Sequence, residues 1–166
     1  MIKKYLIAIL SVWLLFILQC SVFSKINIGG IVPNLLIIIT ACWGFMQGST
    51  FGLVVGFICG ALLDVFYGSF LGFYALLYMY IGYINGKLEV YFLDDDIKLP
   101  IISIIVSDFV YGFACYVFLF LLRGRFDFGY YLGHVIFPEL IITVIFAVVV
   151  YPLIVLIYRK FLVEKR

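Results

Sequence analysis

Apolar character runs from Ile31 to Tyr67, a stretch of 37 residues. As one straight helix it would be about 55 Å long, against a membrane hydrocarbon core of about 30 Å. The polar residues Gln47-Gly48-Ser49-Thr50 fall at its midpoint. The chain must turn there, and two antiparallel spans result.

The rest of the chain repeats this character. Of its 166 residues, 67% are hydrophobic and only 12% are charged. Soluble domains are nearer half apolar and could not cover so much greasy surface. Long apolar runs without period-2 alternation exclude a barrel and predict helices. Six spans follow, at about 5–23, 31–47, 51–67, 70–86, 100–122 and 135–158, forming one all-α transmembrane domain over 1–166. The N-terminus, two lysines and an apolar run from Tyr5 to Phe23, resembles a signal peptide. That run is long enough to span, and no small-x-small site follows it, so the reading is an uncleaved first span. Leu18-Gln19-Cys20 fits a lipoprotein box poorly, because Gln precedes the Cys.

Cations set the expected orientation. With the N-terminus in the cytoplasm, Lys3, Lys4, Lys87, Lys98, Arg159, Lys160, Lys165 and Arg166 lie inside, and Lys25, Arg123 and Arg125 lie outside. Eight against three favours two cytoplasmic termini and an even number of spans.

Across the second and third spans the glycines fall on a ladder. Gly44, Gly48, Gly52, Gly56 and Gly60 are four apart, and Asp64 continues the register. Gly44 and Gly48 close the second span; Gly52, Gly56 and Gly60 form one stripe on the third. In lipid no hydrophobic drive brings helices together, and a side-chain-free groove permits close backbone packing instead. The groove can take a helix of the same chain or that of a partner. Gly68/Gly72 and Gly82/Gly86 repeat the spacing in the next hairpin, so spans three and four should pack tightly.

Three acids interrupt the apolar runs. Asp64 lies towards the outer end of span three, Glu139 near the outer start of span six, and Asp108 deeper in span five. Each costs about 2.5–3.5 kcal/mol at a membrane centre on insertion scales. Asp64 can form an ion pair with Arg123 or Arg125 by snorkelling. Ser103 and Ser107 can solvate Asp108.

Chemistry-bearing patterns are absent. Cys20, Cys42, Cys59 and Cys115 have no paired spacing, and the one histidine, His134, cannot build a zinc site with them. There is no G-x-S-x-G, H-E-x-x-H or P-loop. No cofactor, metal or catalytic residue is expected, and the short juxtamembrane basic clusters point to lipid headgroups rather than nucleic acid.

Residues 33–86 resemble the MreD family of bacterial rod shape-determining membrane proteins. The likeness lies in Pro33-Asn34-Leu35-Leu36, then Gly48, Gly52, Gly56-Phe57, Gly60 and Leu62-Leu63-Asp64. It continues through Gly68, Leu71-Gly72, Ala75-Leu76, Tyr78, Gly82-Tyr83 and Gly86. Asn34 stands where many members carry Asp, and residues 87–166 show no motif that aligns. The resemblance implies a non-catalytic, multi-pass inner-membrane component of the cell-elongation machinery. It would sit beside MreC, near the MreB filament, RodA and its transpeptidase partner, and a homodimer is left open. It also implies a plan similar to the S components of energy-coupling-factor vitamin transporters. That supplies the rival reading, a substrate-binding transporter subunit. The rival needs polar groups converging at one depth, whereas Asp64, Asp108, Glu139, Asn34 and Gln47 read as spread over different depths. The expected packing or contact residues are Pro33, Asn34, Gly52, Gly56, Gly60, Asp64, Gly68, Gly72, Gly82 and Gly86.

Overall fold

A computed structural model of the chain describes residues 2–23, 31–68, 70–91, 97–119 and 128–163. Among these residues, six principal helices make up the fold. They are α1 (Ile2–Leu18), α2 (Leu35–Gln47), α3 (Ser49–Tyr67), α4 (Phe73–Lys87), α5 (Lys98–Leu119) and α6 (Phe137–Tyr158). α6 continues a helical turn at Phe128–Tyr131 and a π-helical turn at Leu132–Ile136, and runs on into Arg159–Val163. Among the described residues, four apolar helical stretches are long enough to cross a membrane: Lys3–Ser21, Ser49–Tyr67, Lys98–Leu119 and Phe128–Phe161.

The second and fourth helices are shorter than the sequence predicts. α2 begins at Leu35 rather than near Ile31, and α4 begins at Phe73 rather than near Phe70. With 13 and 15 residues they reach only about 20 and 22 Å. The physical reason is local in both cases. Asn34 caps α2, its side chain accepting from the Ile37 N–H, so the preceding residues stay extended. Gly72 sits at φ +96° in the left-handed region, a conformation that starts α4 and that other residues adopt only at a cost. The shortness of α2 is tolerable because lipid does not meet it. Every residue from Leu35 to Met46 is buried, and Leu36, Ile38, Trp43 and Phe45 are fully enclosed. α2 is the axis of the bundle, touched by α1, α3, α4, α5 and α6.

The turn inferred at Gln47–Thr50 is a single residue, Gly48, at φ +88°. Around it the chain ends meet. Lys4 Nζ donates to Gln47 Oε1 at 3.3 Å, and Gln47 Nε2 donates to the Tyr158 hydroxyl at 3.0 Å. Glu89 lies against Gly48, and Lys3 and Lys160 flank one shallow opening. The start of α1 and the ends of α2, α4 and α6 therefore share one end of the bundle.

Candidate functional site

The glycine ladder faces inward. α3 and α4 form the most intimate pair in the fold, and the stripe is what brings them together. A methyl group built on Gly52 would overlap the Gly82 carbonyl. One on Gly56 would overlap the Tyr78 carbonyl, and one on Gly60 the backbone of Tyr74 and Ala75. The opposing surface is equally bare: Gly82 abuts the Gly52 carbonyl, and Gly86 abuts Ser49. Gly44 of α2 meets Gly82 and Gly86, so three helices share one seam. The stripe is thus filled by α4 of the same chain, and a partner helix has no room in it.

The carboxylate at the end of the ladder has its explanation here. α4 starts at Gly72, which has no side chain to cap the first N–H groups. Asp64, 5% exposed, supplies the cap from the neighbouring helix. Its Oδ1 accepts from the Tyr74 N–H at 3.0 Å, and its Oδ2 from the Ala75 N–H at 2.8 Å. A helix N-terminus carries partial positive charge and unpaired donors, so it suits an anion in an apolar setting. Gly68 closes α3 by donating its N–H to the Asp64 carbonyl at 3.1 Å. Arg123 and Arg125, the expected ion-pair partners of Asp64, lie outside the described residues.

A second polar set crosses the bundle at the head of α2. Pro33 has no N–H to satisfy, and its carbonyl accepts from Leu35. The Asn34 Oδ1 accepts from the Ile37 N–H at 3.3 Å and from the Tyr78 hydroxyl at 2.7 Å. The Asn34 N–H donates to Thr143 Oγ1 at 3.0 Å. Thr143 in turn lies beside the Asp108 carboxyl group, and Glu139 is within electrostatic reach of Asp108. Asn34, Asp108 and Thr143 are all 4% exposed or less. The chain of contacts ties α4, α2, α6 and α5 together. Asp108 Oδ1 has no hydrogen-bond partner among the described residues.

Of the polar groups expected at different depths, Asn34 and Asp108 meet through Thr143, with Tyr78 beside them, while Gln47 lies at the Lys4 end of the bundle and Asp64 at the start of α4. One expectation is corrected: the two serines of α5 do not serve Asp108. Asn85 Nδ2 donates to Ser107 Oγ at 2.8 Å, and the Ser103 hydroxyl donates to Asn85 Oδ1, which joins α5 to α4 instead. Asn85 and Thr143 stand outside the sequence patterns above, and Tyr78 enters there only through the family resemblance. Asn85 sits one residue before a ladder glycine, and only that adjacency hinted at its burial.

Removing the Tyr78 hydroxyl by Tyr78→Phe should cost about 1 kcal/mol, and Asn34→Ala, which strands two donors and frees the α2 cap, about 2–3 kcal/mol. Thermal unfolding in detergent reads both. Equal melting of the two variants and wild type would exclude the Asn34 contacts as a brace.

Among the described residues no three His, Cys, Asp or Glu side chains gather to hold a metal ion. His134 stacks on Tyr130 with ring centroids 4.2 Å apart.

The arrangement defines a helical membrane protein whose buried polar groups join helix to helix. The family model described as "rod shape-determining protein MreD" matches residues 1–161. The chain belongs to the MreD family and is a rod shape-determining membrane protein. The match takes in the C-terminal half, where no motif was legible. No curated protein and no solved structure matches the chain. In this chain the Pro33-Asn34-Leu35-Leu36 stretch is a helix cap, and Asp64 of Leu62-Leu63-Asp64 caps the helix that follows.

Proposed function

We propose that the chain is a non-catalytic scaffold of the bacterial cell-elongation machinery. It spans the inner membrane six times with both termini cytoplasmic, and it binds an MreC-like single-span protein. Through that partner it supports the MreB filament, RodA and its transpeptidase in lateral peptidoglycan synthesis. One observation carries the reading: the buried polar side chains bond across helices and stiffen the bundle, as a platform for other proteins requires. Asp64 joins α3 to α4, Asn34 joins α2 to α4 and α6, and Asn85 joins α4 to α5. The gathering of Lys3, Lys4, Lys87 and Lys160 at one end of the bundle supports the orientation.

With the glycine stripe filled, the partner's helix must lie on an outer face. Photo-crosslinking residues placed singly at Phe57 and Tyr80 (α3–α4), Phe109 and Phe113 (α5), and Leu14 and Leu156 (α1, α6) test this, since all six side chains are exposed. Capture of the MreC-like partner should be confined to one of these faces. No capture from any of them would overturn the proposal.

A second reading, a small-molecule-binding subunit, is favoured by the convergence of Asn34, Tyr78, Thr143 and Asp108 around an unpartnered carboxyl oxygen. A vitamin-type ligand that raises the melting temperature of wild type but not of Asp108→Asn would establish it.

A further inference from the structure

Between α1 and α6 lies an apolar groove of about 530 Å³. Leu10 and Leu14 form one wall, Leu153 and Ile157 the other, and Ile39 of the central helix the floor. Each wall is an i, i+4 pair, so both helices turn a continuous hydrocarbon stripe to the groove. Among the described lining residues the one polar side chain, Ser11, is already engaged. Its hydroxyl donates to the Ala8 carbonyl at 2.7 Å and accepts from Trp43 Nε1 at 3.2 Å. Whatever lies along this groove meets only hydrocarbon.

One end is different in kind. There the groove runs into a second opening of about 400 Å³, the two sharing Ile7 and Phe161. The second opening is flanked by Lys3 and Lys160. Lys4 points elsewhere: it donates to Gln47 and lies over the rings of Tyr5 and Phe51 at 5.4 and 5.2 Å. Lys3 and Lys160 therefore line the mouth of a slot that takes alkyl chain.

We propose that this groove is a binding site for one anionic phospholipid, with its acyl chain along α1 and α6 and its phosphate between Lys3 and Lys160. Charge and apolarity are segregated along one continuous depression, as they are along such a lipid. A protein helix would carry side chains of mixed size along its whole length, and among the described residues a neutral lipid would leave the two cations without a counter-charge. The site stands independently of any protein partner.

The test is native mass spectrometry of the full chain in detergent, with phosphatidylglycerol and phosphatidylcholine of identical acyl chains supplied together. Wild type should retain one phosphatidylglycerol in preference. Lys3→Gln with Lys160→Gln should lower that preference by roughly 30-fold, while Lys4→Gln keeps it. Both lysines are exposed, so the double variant should fold, and circular dichroism checks this. Leu153→Trp, which fills the slot, should lose both lipids. Equal retention of the two lipids by wild type would overturn the proposal. So would a preference that survives the double lysine change, displacement of the lipid by millimolar inorganic phosphate, or a second copy of the chain bound in place of lipid.

Discussion

Gly56→Leu inserts into the membrane and then fails to assemble. Insertion is expected because the change makes α3 more apolar and leaves its length alone. Assembly fails because a Cβ at position 56 already overlaps the Tyr78 carbonyl, and that obstruction is backbone, which cannot turn aside. Ordinary overpacking costs about 1–3 kcal/mol where side chains can shift; here α3 and α4 must separate along the whole seam, so the loss should exceed that range. Gly56→Ala should already be damaging, since the clash begins at the first carbon. Gly129→Ala, where an added methyl meets nothing within 4 Å, is the control and should be neutral. The readouts are the monodisperse fraction on size exclusion in detergent and the melting temperature. A Gly56→Leu protein that melts with the Gly129→Ala control would end the close-packing account of the ladder.

The same seam shows what the sequence could convey. A four-residue glycine spacing is a local pattern and demands one face, and the inward turn of that face followed from the physics of helices in lipid. The hairpin at Gly48 was legible because 37 apolar residues cannot cross in one helix. Helix starts were less so. Asn34 and Gly72 look like residues inside or beside an apolar run, yet a cap and a left-handed turn place the helix boundaries there. The polar brace was not legible at all. Asn34 and Thr143 are 109 residues apart, and no periodicity records that α2 and α6 touch. Ser103 and Ser107, assigned to the nearest acid by spacing, face Asn85 across a helix boundary instead. Asp64 makes a demand that residue type alone does not convey: its carboxylate caps the first turn of the next helix, while the expected partners Arg123 and Arg125 lie outside the described residues.

That cap yields the second large effect. Asp64→Leu removes both acceptors from the first turn of α4, leaving the Tyr74 and Ala75 N–H groups without partners in an apolar setting. Hydrogen bonds to a charged group contribute about 1.5–3 kcal/mol each, so the pair is worth roughly 3–6 kcal/mol. Asp64→Asn keeps one carbonyl oxygen and loses the charge–dipole attraction, and it should fall between wild type and Leu. The cap and the ion pair with Arg123 or Arg125 make different demands on this residue. If the cap dominates, amide hydrogen exchange at Tyr74 and Ala75 speeds up in Asp64→Asn and stays slow in Arg123→Gln and Arg125→Gln. If the ion pair dominates, the arginine variants reproduce the destabilisation of Asp64→Asn while the two amides remain protected. The short reach from Asp64 to both amides, at 3.0 and 2.8 Å, favours the first outcome.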